Sequence, residues 1–405
     1  MLVQDPDAPE DAAPVVPELL SNSNLHHKVS AKLTAPYNVM STFFFRRSVE
    51  KAFQLDESPS GLSLAMSKPI DSNPPFIISA VDDVMYIVDA VIQKSLSTSQ
   101  RDVVASVVPT VGRVLGSDFV GMVQRKMRDE SYPKPVIQGG FPPEDKIVAF
   151  IVLINSLDMA NEYLARIISG RLGASFGQVS GSAATTPSPL RDSFPFEHDV
   201  AFVTPALNAL HTSFSSKTTE LLNEGVLVLF NQVVKPRLRP VLTETFRDAD
   251  YTLSEEELAD LAAANGEDEE ELLEQVGRRF EHGWEALMRP ISRLMTPPTF
   301  ATLLDLSARY LARVLEKRLW SYAGRASALG GIRMERDFSA IVSTVSKGNY
   351  GVRDLFARIT QVLMVANMED EEWEELGGGE SADDAMQWVL SDDERKRARS
   401  LVRAS

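Results

Sequence analysis

The segment Gly173-Ala174-Ser175-Phe176-Gly177 has the spacing of a catalytic serine motif. In hydrolases, G-x-S-x-G forms a tight turn between a strand and a helix, which presents the serine as a nucleophile above a parallel sheet. Here the motif follows an apolar helical pattern and opens a stretch rich in Gly, Ser, Thr and Pro. This context favours a chance match, so a serine hydrolase that uses Ser175 is kept only as an alternative function.

Metal and thiol chemistry have little support in the sequence. The chain has five histidines and no cysteine. No two histidines have the i, i+4 spacing of a zinc-binding helix, and adjacent residues such as His26 and His27 rarely bind one ion together. The lack of cysteine excludes disulfides, thiolate catalysis and cysteine-ligated clusters. We therefore predict no catalytic residue, no metal site and no cofactor.

Two charged clusters have both a functional and a structural interpretation. Asp82 and Asp83 lie in an apolar helical pattern and could form an acid–base pair, but no nucleophile or base occurs in a recognisable motif beside them. A helix cap or a contact with a neighbouring arginine is favoured. The basic run from Arg395 to Arg397, with Arg399 and Arg403, could contact anionic lipid headgroups at about 1 kcal/mol per charge. More often, basic residues at such a position stabilise the C-terminal end of a helix, where the helix dipole is negative.

Charge and hydropathy exclude further classes of function. The chain of 405 residues has 57 acidic and 41 basic residues, a net charge of −16. This charge disfavours nucleic-acid binding, because phosphate contacts require clustered Lys and Arg. The longest apolar run, Ile147 to Ile154, is far shorter than the roughly 20 residues of a membrane-spanning helix. The acidic, proline-rich start is unlike a signal sequence, and we expect residues 1–30 to be disordered.

Apolar periodicity predicts an all-α protein whose long helices pack as an antiparallel bundle. We expect residues 31–75 to contain the end of a helical domain, in which Phe43, Phe44 and Phe45 are partly buried, followed by a proline-rich linker from residue 56. Residues 76–345 are predicted to form the main bundle, with flexible loops at 170–197 and at 248–277. The second loop has twelve acids and no Lys or Arg.

The pattern from Leu329 to Glu369 predicts two helices joined by a turn. Apolar residues recur at helical spacing on both sides of Lys347-Gly348-Asn349-Tyr350-Gly351, and glycine tolerates the positive φ that ends a helix. We expect a small C-terminal helical domain over residues 346–405.

The amino-acid sequence of this segment is more specific than its apolar periodicity. The blocks LGGIRMERDFSAIVSTV and GVRDLFARITQVLMVANME closely resemble the C-terminal region of the fourth subunit of the conserved oligomeric Golgi complex. Three further blocks resemble the same family in the same order along the chain: Tyr37 to Asp56, Ser79 to Val88 and Gln387 to Arg395. The resemblance covers roughly Tyr37 to Arg403 and is weak between Gly170 and Gly277.

The resemblance implies a non-enzymatic scaffold with an elongated helical-rod architecture. It implies a vesicle-tethering role in intra-Golgi retrograde transport and Golgi organisation, peripheral on the cytosolic face of the Golgi membrane. The implied partners are the other subunits of the complex, SNARE proteins and Rab GTPases. The family's N-terminal coiled-coil helices are not matched, so we expect a fragment or a shortened chain. A subunit of a related tether such as exocyst is the alternative, against which the LGG and FAR blocks argue.

Arg358 is the residue for which we expect a structural ion pair. It flanks the apolar stripe of its helix, so its guanidinium should be partly buried and should require a carboxylate. Asp354, one turn earlier, is the local candidate. Glu394, or its neighbours Asp392 and Asp393, is the long-range candidate, because the resemblance covers both blocks and the intervening segment is long enough to fold back.

Overall fold

The computed structural model describes residues 24–137, 139–173, 189–194, 197–265, 269–376 and 387–402. Within these ranges the regular secondary structure is helical, there is no strand, and one isolated bridge pairs Ala326 with Val402. The predicted all-α class is confirmed. The expected disorder of residues 1–30 falls mostly outside the described residues, and so do Ser175 and most of the predicted loop at 170–197.

The α-helices are numbered here in chain order. They are α1 (Leu25–Val29), α2 (Ala35–Gln54), α3 (Ser79–Leu96), α4 (Arg101–Val114), α5 (Val120–Arg125), α6 (Glu144–Leu172), α7 (Pro189–Ser193), α8 (Glu197–Leu229), α9 (Lys235–Thr245), α10 (Glu255–Asn265), α11 (Glu269–Ser292), α12 (Pro297–Trp320), α13 (Ala328–Val345), α14 (Ala357–Asn367), α15 (Asp370–Leu376) and α16 (Asp392–Arg399). Helices α1, α4, α5 and α8 continue into π-helical segments at Ser30–Thr34, Leu115–Phe119, Lys126–Glu130 and Phe230–Val234, and a 3-10 helix, Tyr350–Phe356, precedes α14.

The chain folds into two compact units. The first comprises Met1–Ser60, Pro74–Glu130 and Asn155–Leu222, and the second comprises Gly61–Asn73, Ser131–Ile154 and Asn223–Ser405. The scheme predicted from the sequence placed boundaries at 31, 76 and 346 instead. In the structure, residue 346 is not a boundary between compact units, because α14 packs against α12 and α13 within the second unit.

In the first unit, α2 packs against α3 and α4 through one face of the helix. Phe45 and Val49 are buried on this face, and the ring of Phe53 lies 5.6 Å from that of Phe119. Phe43 and Phe44 are exposed, so the expectation that all three consecutive phenylalanines are partly buried is wrong. Neighbouring residues on a helix differ by about 100° in direction, and one packed face cannot take all three.

The predicted linker contains no helix between residues 56 and 78, but side chains hold parts of it in place. In the second unit, the Arg293 guanidinium donates hydrogen bonds to the carbonyl oxygens of Ser63 at 2.6 Å and Lys68 at 3.2 Å. Glu144 Oε1 accepts bonds from the Ser63 hydroxyl and the Leu64 amide, and these bonds lower the pKa of Glu144. The segment is therefore an ordered connection at these residues.

In the second unit, α9 packs against α11, α11 against α13, and α13 against α14. The rings of Phe246, Phe280, Phe338 and Phe356 are buried between these helices. The predicted flexible loop at 248–277 is wrong where the structure describes it: Tyr251 is fully buried, and α10 and the start of α11 occupy much of the remainder. The acidic residues line helices whose apolar positions, such as Leu258 and Val276, are buried.

Two helical stretches would be long and apolar enough, by length and composition, to cross a membrane. They are Arg101–Glu130 and Glu144–Leu172, each with a mean hydropathy of 1.4 over its most apolar window. Within those windows, 56 % and 67 % of the residues are buried inside the protein. Their hydropathy is therefore that of core helices.

Candidate functional site

The block LGGIRMERDF forms the N-terminal half of α13, and its glycines allow a close backbone contact. The main-chain amide of Ser327, the N-cap of α13, donates to the Tyr251 carbonyl oxygen at 3.0 Å. The Ser327 hydroxyl donates to the Leu253 carbonyl at 2.6 Å and accepts from the Gly330 amide at 2.9 Å. A Cβ atom at Gly330 would lie 1.9 Å from the Tyr251 carbonyl oxygen. Glycine at this position is a packing requirement.

Gly331 makes a second close contact, with α14 and the C-terminal segment. A Cβ atom here would lie 2.6 Å from Asn367 Oδ1 and 2.7 Å from a methyl carbon of Val402. The Asn367 amide group donates to the Gly331 carbonyl at 3.2 Å and to Glu335 at 2.7 Å. Both glycines therefore join α13 to segments distant in sequence.

A buried polar cluster lies one to two turns further along α13. The Tyr251 hydroxyl donates to Asp337 Oδ2 at 2.7 Å, and the Arg333 guanidinium lies over the Tyr251 ring, 5.6 Å from its centroid. Arg333 also donates to the Asp250 carbonyl at 3.0 Å. Burial raises the pKa of Asp337 to about 6, against the opposing effects of the Tyr251 hydrogen bond and the nearby Arg333 charge. Burial and the Asp337 charge raise the pKa of Tyr251.

Arg358 lies at the start of α14 and contacts carboxylates from two other helices. Its Nη2 lies 2.5 Å from Glu394 Oε1 of α16 and 2.9 Å from Glu316 Oε1 of α12. Hydrogen bonds to Glu394 and Glu316 raise the pKa of Arg358, and the Arg358 hydrogen bond lowers the pKa of Glu394 to about 2. The side chains of Arg358 and Glu394 are 36 % and 35 % exposed, so water screens the pair.

The structure brings Arg358 and Glu394 together, whereas Asp354 is exposed and lies outside the contacts described for Arg358. Glu316 was missed by sequence reasoning. It is one of several charged residues in the last turns of α12 and is 42 positions from Arg358, so periodicity could not identify it. The predicted pair is in fact a three-residue contact among α12, α14 and α16.

Gln361 is a second residue that sequence reasoning missed. It is 8 % exposed in the otherwise apolar face of α14. Its Nε2 donates to the Gln387 carbonyl at 2.9 Å, and its Oε1 accepts from the amides of Val389 at 2.8 Å and Leu390 at 3.3 Å. One side-chain amide thus holds the extended residues before α16, much as a neighbouring strand would. Its position as a polar residue within the apolar stripe of α14 is the signal in the sequence that could have identified it.

Helix α16 begins with a capping box, in which the Ser391 hydroxyl accepts from the Glu394 amide and Glu394 Oε2 accepts from the Ser391 amide. Its basic residues mostly contact the chain itself. Arg397 lies 4.5 Å from the centroid of the Trp320 ring, and Arg399 pairs with Asp370. These contacts reduce the number of cations that the basic run could offer to a lipid headgroup.

The remaining candidates from the sequence do not form a chemical site in the part of the chain that the structure describes. Asp82 and Asp83 are exposed on α3. Asp82 takes part in a hydrogen bond with Tyr163, whose pKa is raised mainly by burial and also by the Asp82 charge. The described ranges contain no group of three or more His, Asp or Glu side chains placed to hold a metal ion. Ser175 lies outside the described residues.

The fold and these contacts define an all-helical protein. The polar clusters described above connect one helix to another. Two family models match the chain. "Conserved oligomeric Golgi complex subunit 4, C-terminal" covers residues 150–397, and "COG4 transport protein, middle alpha-helical bundle" covers residues 2–127. Since the first alone matches more than half of the chain, the chain belongs to the family of conserved oligomeric Golgi complex subunit 4.

Curated relatives carry the same family name. The subunit 4 of Arabidopsis thaliana is 28 % identical in an alignment 381 residues long, which covers 92 % of this chain and 45 % of the relative. That of Saccharomyces cerevisiae is 24 % identical over 64 % of this chain and 30 % of its own length, and the human protein is 22 % identical over 86 % and 43 %. The chain therefore spans less than half the length of these relatives. The C-terminal domain of the exocyst subunit Sec6p matches 93 % of this chain and 86 % of that chain, at 12 % identity and a TM-score of 0.48.

Proposed function

We propose that the chain acts as a non-enzymatic scaffold subunit of a Golgi vesicle-tethering complex, in intra-Golgi retrograde transport and Golgi organisation. The observation that carries the proposal is family membership over both ends of the chain, residues 2–127 and 150–397. The curated relatives are named as subunit 4 of the conserved oligomeric Golgi complex, which favours this complex over exocyst.

The proposed mechanism is contact between proteins. Polar clusters such as Arg358 with Glu316 and Glu394 hold helices in a fixed arrangement, and a rigid arrangement lowers the entropic cost of binding a partner. The proposed partners are the other subunits of the complex, with SNARE proteins and Rab GTPases implied by the resemblance. The proposed location is the cytosolic face of the Golgi membrane, with peripheral attachment through the complex.

Crosslinking of a tagged full chain in its source cells, followed by mass spectrometry, tests this proposal. We expect crosslinks to other subunits of the conserved oligomeric Golgi complex. The variant Arg358→Ala should reduce those that involve residues 387–402, whereas Asp354→Ala, which leaves the three-residue contact intact, should not. A chain that yields crosslinks only to exocyst subunits, or to neither complex, would contradict the proposal.

The hydrolase alternative has a separate test. A fluorophosphonate probe reports an activated serine nucleophile, and we expect no labelling of the full chain. Labelling that Ser175→Ala abolishes would establish the alternative, whatever the crosslinks show.

A further inference from the structure

A groove runs along the surface of the first unit between α4 and α8. The helices on its two sides are in close contact, since a Cβ atom at Gly112 of α4 would lie 3.1 Å from a methyl carbon of Leu210 of α8. The groove contains a cavity of about 240 Å³, whose small or apolar lining residues are Pro109, Gly112, Ala206, Ala209, Leu210 and Ser213. Short side chains on both walls let a further chain segment approach the two helices closely.

Two cations line the same cavity, Arg113 of α4 and Lys217 of α8. The Lys217 ammonium lies 2.7 Å from the position that a Cβ atom would occupy at Gly116, so this side chain crosses from α8 toward α4. The Arg113 guanidinium donates to the Thr110 hydroxyl at 2.9 Å. Neither cation belongs to the ion pairs described for the first unit. In a chain with a net charge of −16, the cavity is a locally basic site.

Beyond the cavity, the groove continues along α8 as an apolar surface. Phe202 is 48 % exposed and precedes Ala209 by two turns, so the two side chains lie nearly in line on the helix. From Phe202 to Lys217, α8 rises about 22 Å. The groove is therefore apolar at one end and basic at the other, over about four helical turns.

We propose that this groove binds an amphipathic helix of a partner protein. Apolar side chains of the partner helix contact Phe202 and Ala209, and its carboxylates meet Arg113 and Lys217. In recognition of this kind, a helix places anchors at positions i, i+3, i+4 and i+7 into an apolar groove. Opposite charges at one end of the groove fix the register of the bound helix and exclude basic helices.

The shape and charge of the groove favour a peptide over other ligands. A cavity of about 240 Å³ is smaller than the roughly 300–1,000 Å³ of small-molecule sites, and one apolar side chain needs less room. A bilayer contacts apolar side chains that protrude, whereas these line a groove. Repulsion between an acidic peptide and the rest of the chain is screened beyond about 8 Å at physiological salt, so the two local cations decide.

Binding of a defined peptide to the purified full chain tests the proposal. The probe is a fluorescein-labelled peptide of two Leu-Ala-Glu-Leu-Leu-Glu-Ala repeats, and a second peptide carries Lys in place of each Glu. By fluorescence anisotropy at physiological salt, we expect saturable binding of the acidic peptide alone. Arg113→Glu with Lys217→Glu should weaken it at least about tenfold and create binding of the basic peptide. No binding of the acidic peptide to the parent chain would overturn the proposal.

Matched controls separate the groove from the overall charge. Lys51→Glu with Lys94→Glu makes the same charge change at exposed positions elsewhere in the first unit and should have no effect. Arg113→Gln with Lys217→Gln removes the cations without adding acids and should also weaken binding. Equal effects of the groove variants and the control would overturn the proposal, and circular dichroism checks that each variant is folded.

A steric variant tests the apolar part of the groove. Ala209 is exposed at the cavity, so Ala209→Phe fills the groove without entering the core and should weaken binding at least about tenfold. Asn208→Phe is the matched control, because Asn208 is exposed and points about 100° away around α8. Unchanged affinity in Ala209→Phe would overturn the proposal.

Two other occupants give distinct results. Displacement of the acidic peptide by millimolar inorganic phosphate, with no effect of Ala209→Phe, would indicate a small-anion site. Self-association that Ala209→Phe abolishes, measured by analytical ultracentrifugation, would indicate a second copy of the chain. Either result would overturn the proposal. A partner helix in this groove rests on the proposed scaffold function, but absent peptide binding with retained subunit crosslinks would overturn this surface alone.

Discussion

The carbonyl oxygen of Tyr251 lies 1.9 Å from the position that a Cβ atom would occupy at Gly330. The backbone fixes the position of a Cβ atom and the clashing oxygen belongs to the main chain, so rotation of a side chain could not relieve the clash. The same tyrosine places its hydroxyl 2.7 Å from Asp337, two turns further along α13. Tyr251 thus explains two features of the block LGGIRMERDF, the glycine at position 330 and the aspartate at position 337. It lies in the segment 248–277, which the sequence predicted to be a flexible loop.

We predict that Gly330→Ala destabilises the second unit. The added methyl group must displace the Tyr251 main chain, and overpacking of this kind typically costs about 1–3 kcal/mol. Thermal unfolding measured by circular dichroism should show a lower melting temperature. Gly121→Ala is the control, because a Cβ there meets nothing within 4 Å and alanine favours a helix. If both variants melt at the same temperature, the close contact does not exist in solution.

We predict that Arg358 and Glu394 are energetically coupled, with Asp354 outside the pair. Because both side chains are about one-third exposed, a coupling of about 0.5–1 kcal/mol is expected, well below the ~3–5 kcal/mol cost of breaking a fully buried pair. A double-mutant cycle of Arg358→Ala and Glu394→Ala measures it. The matched cycle of Arg358→Ala with Asp354→Ala should be additive. Additivity in the first cycle would contradict the pair.

Local signals in the sequence predicted the all-α class and the turn at residues 347–351 that separates α13 from α14. The chain breaks before Pro297 and turns at Gly348, whose φ is +85°, as the residue types indicate. The class of the fold followed from periodicity alone. No periodic pattern connects α14 with α16, so only the family resemblance, which covers both blocks, suggested Glu394, Asp392 or Asp393 as a long-range alternative to Asp354.

Contacts between distant segments were the part that the sequence could not provide. Twelve acids between residues 248 and 277 suggested self-repulsion, yet Tyr251 is buried there because α13 offers a hydroxyl acceptor and a glycine surface. Glu316 and Gln361 gave only weak signals for the same reason: their partners are distant in sequence. The composition of residues 248–277 does not show that one of them, Tyr251, packs against a distant helix.

We predict that Asp337 makes folding stability fall as pH rises from about 4 to about 6. Its pKa in the folded chain is about 6, above the ordinary value of 3.8. Between those values the folded state binds the extra proton, so stability is highest at the low end and declines until Asp337 is ionised in both states. Asp337→Asn keeps an acceptor for Tyr251 without a charge and should remove this decline. Urea unfolding across this pH range measures it.

A matched control for this pH effect is Ile332→Ala, which removes an exposed apolar side chain from the same helix and changes no titratable group. It should leave the slope between pH 4 and 6 unchanged in comparison with the parent chain. A slope that Asp337→Asn does not alter would show that the buried carboxyl is not the source.

We predict the opposite pH dependence for Glu394. Its folded pKa, about 2, is below the ordinary value of 4.5, so the stability it contributes is fully present above 4.5 and is lost as pH falls toward 2. Glu394→Gln should therefore lower stability at neutral pH and have progressively less effect on acidification. Comparison of the two chains by urea unfolding at several pH values measures this. A difference that grows on acidification would contradict the assigned sign.

Gln361 gives the last prediction, because one side-chain amide holds three backbone groups of residues 387–390. In Gln361→Ala, the amides of Val389 and Leu390 lose their acceptor and the segment loses its link to α14. Hydrogen exchange of these amides should become faster by about tenfold or more, equivalent to about 1.4 kcal/mol of lost protection. Helices α12 and α13 should exchange as before, since their packing does not use this residue. Thr360→Ala is the matched control, because among the described residues the Thr360 hydroxyl donates to the Phe356 carbonyl, one turn earlier in the chain. Protection at Val389 that is identical in the parent and the Gln361→Ala chains would show that other contacts hold the C-terminal segment.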